Sequence, residues 1–407
     1  MQLCDFCGFV IGQDDNQCKN CSSQVAGREI IKEDNHFKVL PPKPKNESVI
    51  YTPPRRWGRY IPRKTIALLL VIGLVMAPQT QALIKDGKEY WDDLNTPYYN
   101  IPQTLELTLI RNFTIYLPGE KGFADYKLIL SKPDNRPLWP QQDANTWQEV
   151  HSISVYPDYV ENETGRMEWN GTVKEGERHY IEVEYKVSVN TLRPDLTPED
   201  SGTLEDIPGG YEEYLDDEWL IEPSLPVIGE LAAQMVNGTE GNVIQILQNI
   251  FDYIMNGYTY EKSSIPKSCP ESIEQGYGDC DDFSILFASI ARAAGIPTWL
   301  ELGKIPAFVD SQNGKCDLKD WGGHAWVNAI VPLSDGTITT VNIDIANSYF
   351  MWMPAYRISD WVDDGNGDNL YSYYYLFSSQ GTAQANYLEN SYVSDCELTG
   401  NLKLEQL

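Results

Sequence analysis

The chain has 407 residues, a formal net charge of −28 at pH 7 and a hydrophobic content of 42%. This length predicts two or three domains, and the apolar content excludes disorder on a large scale. Residues 1–85 hold 12 basic and 7 acidic residues, a net of +5, which leaves 31 − 12 = 19 basic and 59 − 7 = 52 acidic residues downstream, a net of −33. So acidic a body excludes nucleic acid and anionic lipid as partners bound through charge.

Two Cys-x-x-Cys pairs stand near the N-terminus: Cys4, Cys7, Cys18 and Cys21. Two such turns offer four thiolates, which is the ligand set of a tetrahedral Zn²⁺ site. We therefore predict a zinc ribbon at residues 1–31, with a structural Zn²⁺ that supplies the folding free energy a module of this size lacks. Prolines and basic residues at 32–64 indicate an extended, Pro-rich basic tether.

An uncharged apolar segment follows the tether. Ile66–Ile84 would span about 28 Å as a helix, close to the hydrocarbon thickness of roughly 30 Å, and we predict a transmembrane helix at residues 65–84. A buried helix or a signal-peptide core is the alternative, because only residues 66–77 are continuously apolar. Basic residues dominate the N-terminal flank: Arg55, Arg56, Arg59, Arg63 and Lys64. This bias predicts a single-pass protein of the cell membrane with a cytoplasmic N-terminus and an extracytoplasmic body.

The first part of the body alternates apolar and polar residues, which predicts β-strands. The segments concerned are Leu105–Leu117, Tyr126–Leu130, His151–Tyr156 and Tyr180–Val189. We predict a small antiparallel, sandwich-like β domain at residues 90–200. From Tyr211 onward the spacing changes to three and four residues, and Leu225–Met235 and Asn242–Met255 are predicted to be amphipathic helices.

Cys280 stands between a glycine-containing turn and a run of helix-forming residues that ends at Gly295 and Pro297. We expect it on the first turn of a buried helix, where free amides and the positive end of the helix dipole favour a thiolate and can hold an oxyanion. Asp279, Asp281 and Asp282 oppose a second negative charge. The thiolate would therefore depend on a nearby cation.

His324 is the only histidine after Cys280, and it lies in a predicted strand. The turn at 334–336 joins this strand to the next one, which contains Asp344. Antiparallel pairing can bring Asp344 beside His324, where a carboxylate fixes the imidazole tautomer and stabilises the imidazolium. The imidazolium is then the cation that holds the Cys280 thiolate.

These three motifs, in this order and separated by 324 − 280 = 44 and 344 − 324 = 20 residues, closely resemble the catalytic core of the transglutaminase-like superfamily. The resemblance implies an α+β, papain-like core at 211–350 and a Cys-His-Asp triad of Cys280, His324 and Asp344. It also implies a cysteine peptidase or acyltransferase that acts on peptide or glutaminyl amides outside the cell, by hydrolysis or transamidation through a thioester. The zinc-ribbon head is similar to archaeal membrane proteins.

The alternative function is a non-catalytic receptor that binds peptides or cell-wall material outside and contacts a cytoplasmic protein through the zinc ribbon. Among the other cysteines, a disulfide between Cys269 and Cys316 is one pairing, with Cys396 as the competing partner.

Residues 351–407 are expected to form a C-terminal extension. Its segment 363–368 has oxygen-bearing side chains at alternating positions, as Ca²⁺ loops do, but lacks the later Glu of an EF-hand, so an acidic turn is the favoured interpretation. We predict a strand at Tyr371–Tyr375.

Overall fold

The computed structural model describes residues 2–3, 10–11, 30–33, 36–39, 98–119, 121–137, 146–263, 265–310, 316–400 and 402–405. The predicted zinc ligands Cys4, Cys7, Cys18 and Cys21, most of the tether and the predicted transmembrane helix at 65–84 lie outside these residues. Within the described ranges, no helix has the length and apolar character that a membrane span requires. The chain divides into two compact units, residues 1–100 with 402–407 and residues 101–401.

The helices are α1 (Pro226–Val236), α2 (Val243–Gly257), α3 (Cys269–Gln275), α4 (Cys280–Ala293) and α5 (Gly367–Tyr374). The strands are β1 (Gln2–Leu3), β2 (Val10–Ile11), β3 (Ile30–Glu33), β4 (His36–Val39), β5 (Tyr98–Ile101), β6 (Thr104–Tyr116), β7 (Phe123–Leu130), β8 (Arg136–Pro137), β9 (Thr146–Tyr156), β10 (Val160–Glu161), β11 (Met167–Lys174), β12 (Arg178–Asn190), β13 (Thr259–Tyr260), β14 (Tyr277–Gly278), β15 (Thr298–Asp310), β16 (Asp317–Pro332), β17 (Ile338–Asp344), β18 (Tyr349–Phe350), β19 (Ile358–Val362), β20 (Phe377–Gly381), β21 (Asn386–Thr399) and β22 (Leu402–Glu405).

Two antiparallel sheets form what we call the β domain. One has the order β21-β6-β12-β9-β8 and the other β10-β11-β7-β20. Along β6 and β12 every second residue is buried, since successive side chains of a strand point to opposite faces. The predicted strands at β6, β7, β9 and β12 are thereby confirmed.

The C-terminal residues do not form a separate extension. Strand β20 pairs with β7 and β21 pairs with β6, so each adds a strand to one sheet of the β domain. Edge strands expose unpaired backbone groups, and these additions satisfy them with residues distant in sequence.

The predicted strand at Tyr371–Tyr375 is wrong, because these residues lie in or directly after helix α5. Asn366 caps the helix by accepting a hydrogen bond from the Asp368 amide at 3.0 Å. Tyr371, Tyr374 and Tyr375 all contact Trp219. A spacing of three and four residues places them on one helix face. This helical spacing is hard to detect in the sequence, because nearly every residue of the segment is aromatic.

The helices pack on a second five-stranded sheet, of order β18-β17-β16-β15-β19, to form the core domain. Strand β16 determines which way His324 faces, because both faces of this strand are buried. Ala325, Val327 and Ala329 join the hydrophobic cluster of the helices, whereas Trp326 joins the cluster of the β domain. His324, two residues before Trp326, therefore lies on the face away from α4.

A disulfide joins Cys316 to Cys396, with the two Cα atoms 5.9 Å apart. The alternative pairing of Cys316 with Cys269 is not formed. Cys269 is a free, fully buried thiol whose Sγ lies 3.1 Å from the Ser289 hydroxyl of α4. Helix α3 carries Cys269 into the core, while β21 brings Cys396 alongside the start of β16.

Gly303 is the backbone partner of His324 on β15, and it sits where the pairing of β15 with β19 shifts register. A Cβ added there would lie 1.9 Å from the Ile358 carbonyl oxygen. We expect Gly303→Ala to lower the free energy of unfolding by about 1–3 kcal/mol, because β19 must move away.

Urea denaturation followed by fluorescence measures this effect. Gly229→Ala is the matched control, since nothing lies within 4 Å of its added Cβ in α1 and Ala is favoured over Gly within a helix by up to about 1 kcal/mol. Equal stability of the two variants would contradict the close approach of β15 and β19.

Candidate active site

Cys280 is the first residue of α4, as predicted, and its side chain is only 8% exposed. Asp279 precedes the helix in extended conformation, and its amide donates to Asp282 Oδ2 at 3.1 Å. Gly278 permits this turn, because a Cβ there would meet the Asp282 side chain at 2.6 Å. Local sequence alone therefore places the sulfur at the helix start.

Two of the three carboxylates around Cys280 hold neighbouring backbone. Asp279 Oδ2 accepts from the Ser263 amide at 2.9 Å. Asp282, which is fully buried, accepts from the Lys267 amide at 2.7 Å and lies 3.4 Å from Lys267 Nζ. These acids attach the segment before α3 to the start of α4, which explains their presence beside a thiol whose ionisation they oppose.

His324 and Asp344 form a buried hydrogen bond of 2.7 Å between Nε2 and Oδ2. Asn347 completes the arrangement: its amide donates to Asp344 Oδ1 at 3.1 Å and its side-chain Nδ2 to Oδ2 at 2.8 Å. Both carboxylate oxygens are thus occupied. The predicted contact between a strand histidine and an aspartate of the next strand is therefore present.

The hydrogen-bond pattern assigns the proton of the neutral imidazole to Nε2, since Asp344 is an acceptor. Nδ1 then carries the lone pair. In the part of the chain that the structure describes, no side chain hydrogen-bonds Nδ1, and this nitrogen is free to accept a proton. His324 is also stacked near Trp326, with ring centroids 6.1 Å apart.

Cys280 meets the His324 strand through the backbone. The Ala325 amide hydrogen-bonds the Cys280 sulfur, and the Ser284 hydroxyl donates to the Ala325 carbonyl at 3.3 Å. Among the described residues, no direct hydrogen bond joins the sulfur to His324. The structure thus brings His324 and Asp344 into contact and holds Cys280 against the amide of Ala325, the residue that follows His324.

The surroundings of Cys280 disfavour the thiolate. Burial raises the pKa of Cys280 well above its ordinary value, and the charges of Asp281, Asp279 and Asp344 raise it further, while the Ala325 amide opposes them. This differs from the expectation of a standing thiolate stabilised by an imidazolium. The physical reason is the desolvation of the sulfur, which outweighs the favourable helix start.

Asp281 is a polar group of the site whose partner the sequence did not reveal. Its Oδ1 lies 3.8 Å from the Cys280 sulfur and accepts a hydrogen bond from the Tyr374 hydroxyl at 3.0 Å. Burial and the charge of Asp279 raise the pKa of Asp281 to about 7. Tyr374 belongs to α5, 94 residues after Cys280, and no local signal connects the two.

Arg357 lies fully buried behind this site. Its guanidinium carbon is 4.3 Å from the centre of the Trp147 ring and 5.7 Å from that of Trp326. Burial lowers the pKa of Arg357 to about 9, against the charges of Glu301 and Asp344. Trp326 itself is core: it is completely buried and its indole N–H donates to Glu301.

The segment proposed for Ca²⁺ folds as an acidic turn. Asp363 Oδ1 accepts from the Gly365 amide and Asp364 Oδ1 from the Asn366 amide, and Asn366 caps α5. Arg292 lies 3.5 Å from Asp363, so a cation of the chain already neutralises that carboxylate. As folded, the segment does not fit a Ca²⁺ site.

Residues 229–363 match the family model of the transglutaminase-like superfamily. No curated protein matches the chain. A provisionally assigned cysteine protease from Cytophaga hutchinsonii is 14% identical over 74% of this chain and 95% of its own, with a TM-score of 0.48. The periplasmic domain of TgpA from Pseudomonas aeruginosa is 14% identical over 60% of this chain and 88% of its own, with a TM-score of 0.29. At these values the solved structures carry no argument about activity.

Asp281→Asn should lower the pKa of Cys280, because it removes a negative charge beside the sulfur and keeps an acceptor for Tyr374. We expect alkylation of Cys280 by iodoacetamide at pH 8 to become about 3- to 10-fold faster, because a larger fraction of the thiol is then ionised. Below pH 7 the native carboxyl is itself protonated, given its pKa of about 7, and the two proteins should converge.

Mass spectrometry of the labelled Cys280 peptide measures the rate. Asp158→Asn, at an exposed position of the β domain, should label like the unchanged protein. Identical rates for Asp281→Asn and Asp158→Asn at pH 8 would exclude an electrostatic effect of Asp281 on the thiol.

Proposed function

We propose that the protein is a cysteine enzyme that transfers the acyl group of peptide or glutaminyl amides through a thioester. The observation that carries this proposal is the 2.7 Å bond from His324 Nε2 to Asp344, which leaves Nδ1 available, while the amide of the next residue, Ala325, bonds the Cys280 sulfur. A nucleophile, a base and a group that orients the base are the parts that covalent acyl transfer requires.

The first step follows from the neutral thiol. As the Cys280 sulfur attacks the amide carbon, the S–H proton moves to His324 Nδ1, and Asp344 stabilises the imidazolium. The oxygen of the tetrahedral intermediate carries the negative charge, for which the Cys280 backbone N–H at the start of α4 is one donor. The C–N bond then breaks, and the imidazolium returns its proton to the departing amine. A thioester and neutral His324 remain.

The second step reverses these roles. Water or an amine gives its proton to His324 Nδ1 and attacks the thioester carbon, and the C–S bond breaks as the imidazolium returns the proton to sulfur. Water yields a carboxylic acid and an amine yields a new amide. We favour hydrolysis, because water is always present at high concentration whereas transamidation requires a second binding site.

A non-catalytic receptor is the competing function, and one observation favours it. The pKa of Cys280 is raised well above its ordinary value, as in a buried inert thiol. In that case the site binds peptide without forming a thioester, and the zinc ribbon contacts a cytoplasmic protein.

Thiol labelling separates the two functions. For an enzyme, iodoacetamide should modify Cys280 at pH 7 and His324→Ala should slow that reaction at least about 10-fold, because the base that removes the proton is lost. Cys269 is the internal control, since it is completely buried and its sulfur contacts the Ser289 hydroxyl and the Leu220 carbonyl, neither of which is a base. His151→Ala, at an exposed histidine of the β domain, should leave labelling unchanged.

The second measurement follows mass changes when the protein is incubated with peptides and amines. Loss of 17 mass units with gain of water, or gain of the amine, should require Cys280 and disappear in Cys280→Ser. A slow thiol indifferent to His324→Ala, together with unmodified peptides, would leave the receptor as the remaining function.

We also propose that residues 65–84 anchor the acidic body outside the cytoplasm. The disulfide between Cys316 and Cys396 supports this location, because disulfides persist in oxidising compartments. The cytoplasmic zinc ribbon and a protein partner for it complete the proposed topology.

Membrane fractionation and metal analysis test this arrangement. We expect the protein in the membrane fraction and, after deletion of residues 65–84, in the soluble fraction. The purified protein should contain about one Zn²⁺ per chain, and Cys4→Ser with Cys7→Ser should abolish it, because two of four ligands are lost. Zinc retained in that variant would refute the ribbon, and a membrane-bound deletion variant would refute the anchor.

A further inference from the structure

A cavity of about 250 Å³ lies beside the candidate active site, with Asp281, Gly323 and His324 in its wall. The remaining wall comes from both domains and is unusually rich in charge. Its charged members besides Asp281 are Arg111, Arg166, Lys304, Asp360 and Glu389. The charged groups of this wall divide into those that already have a hydrogen-bond or ion-pair partner and those that still lack one.

Four of the charged groups satisfy one another. Glu389 Oε1 accepts from Arg111 Nε and from Lys304 Nζ, each at 2.9 Å. Asp360 lies 3.7 Å from Arg111 NH1 and accepts from the Tyr373 hydroxyl at 2.7 Å. Two cations thus balance two carboxylates. These acids are occupied, so the cavity does not present a free site for a positively charged ligand.

Arg166 is the cation of this wall that contacts no carboxylate among the described residues. It is 4% exposed, and its NH2 group donates only to neutral oxygens, the Asn369 carbonyl at 3.2 Å and the Ser372 hydroxyl at 3.0 Å. Its Nε–H has no hydrogen-bond partner. Among the described residues, no carboxylate lies within 4.0 Å of this guanidinium.

Ser131 adds a second unsatisfied donor in the same wall. It is 6% exposed and its hydroxyl has no hydrogen-bond partner. A buried donor without an acceptor destabilises the fold, and more so when the group is charged. A ligand with acceptor oxygens and one negative charge would satisfy both donors and pair with the Arg166 guanidinium.

We infer that this cavity is a subsite for a carboxylate group of the substrate, held by Arg166 and Ser131 next to the reacting amide. The inference rests on the proposed acyl-transfer function, and it narrows the substrate class to peptides with a carboxylate near the amide that reacts. The carboxylate belongs either to an acidic side chain or to the C-terminus of the peptide.

The size and position of the cavity agree with this assignment. A volume of 250 Å³ is about eight times the roughly 30 Å³ share of one water, enough for one small residue and too little for a peptide segment. His324 and Asp281 form part of the wall, so a group bound there lies close to the Cys280 thiol. Charge-assisted bonds of a guanidinium to a carboxylate are among the stronger contacts available in a buried site.

Calorimetric binding to the full-length Cys280→Ser protein tests the subsite without requiring turnover. Three peptides of equal length serve as probes: one blocked at both ends with a Gln and no carboxylate, one with Glu beside that Gln, and one neutral peptide with a free C-terminal carboxylate directly after it. At least one carboxylate peptide should bind about 10-fold more tightly than the blocked one, as a charge-assisted hydrogen bond implies. The peptide that does so identifies the source of the carboxylate.

Arg166→Gln, made in the same background, should abolish this preference and leave the affinity for the blocked peptide within about twofold. Arg178→Gln is the matched control, because Arg178 lies over the Tyr116 ring on the exposed part of the β domain. Ser131→Ala should reduce the preference about threefold or more, and it keeps the test decisive if Arg166→Gln fails to fold.

Equal binding of all three peptides, or a preference that survives both Arg166→Gln and Ser131→Ala, would overturn the subsite. Failure of the proposed enzyme is a separate result, seen as unmodified peptides and a thiol indifferent to His324→Ala. In that case the calorimetric preference alone still decides whether the cavity binds a carboxylate.

Discussion

The site depends on a strand that is buried on both faces. Along β16, Ala325 and Val327 pack against the helices while Trp326 packs into the β domain, and this alternation turns His324 toward the second face. Val327 pairs with Ile343, so Asp344 follows directly on the neighbouring strand and reaches the imidazole. A shift of one residue in this register would exchange the two faces and separate the pair. The hydrophobic packing of the two domains is therefore what fixes a polar contact of 2.7 Å.

Negative charge is concentrated around the Cys280 sulfur, and burial together with these charges raises the pKa of its thiol. Asp279 and Asp282 are committed to the Ser263 and Lys267 amides. Burial and the charge of Asp279 raise the pKa of Asp281 to about 7. In the proposed mechanism, the sulfur ionises only as its proton moves to His324. A protonated thiol is also less susceptible to oxidation than a thiolate.

Local sequence patterns were enough to predict much of the fold and the residues of the candidate triad. The α4 start at Cys280, the strand with His324 and the amphipathic helix capped by Asn242 each depend on neighbours within a few residues. The features that could not be predicted are contacts between residues distant in sequence. They are the hydrogen bond from Tyr374 to Asp281, the disulfide between Cys316 and Cys396, and the pairing of β20 and β21 with the sheets of the β domain. Tyr371–Tyr375 was misassigned because aromatic residues suit strands and helices alike, and contact with Trp219 decided the outcome. Arg166 has no motif at all, and only the folded chain brings it to the cavity.

The disulfide between Cys316 and Cys396 closes a loop of chain that contains His324, Asp344, α5 and the two strands that complete the β domain. A backbone cut anywhere inside that loop leaves both fragments covalently attached, with the sheets still able to hold them in register. Under non-reducing conditions a nicked molecule would migrate as one chain. The bond thus allows the folded molecule to tolerate limited proteolysis within this loop.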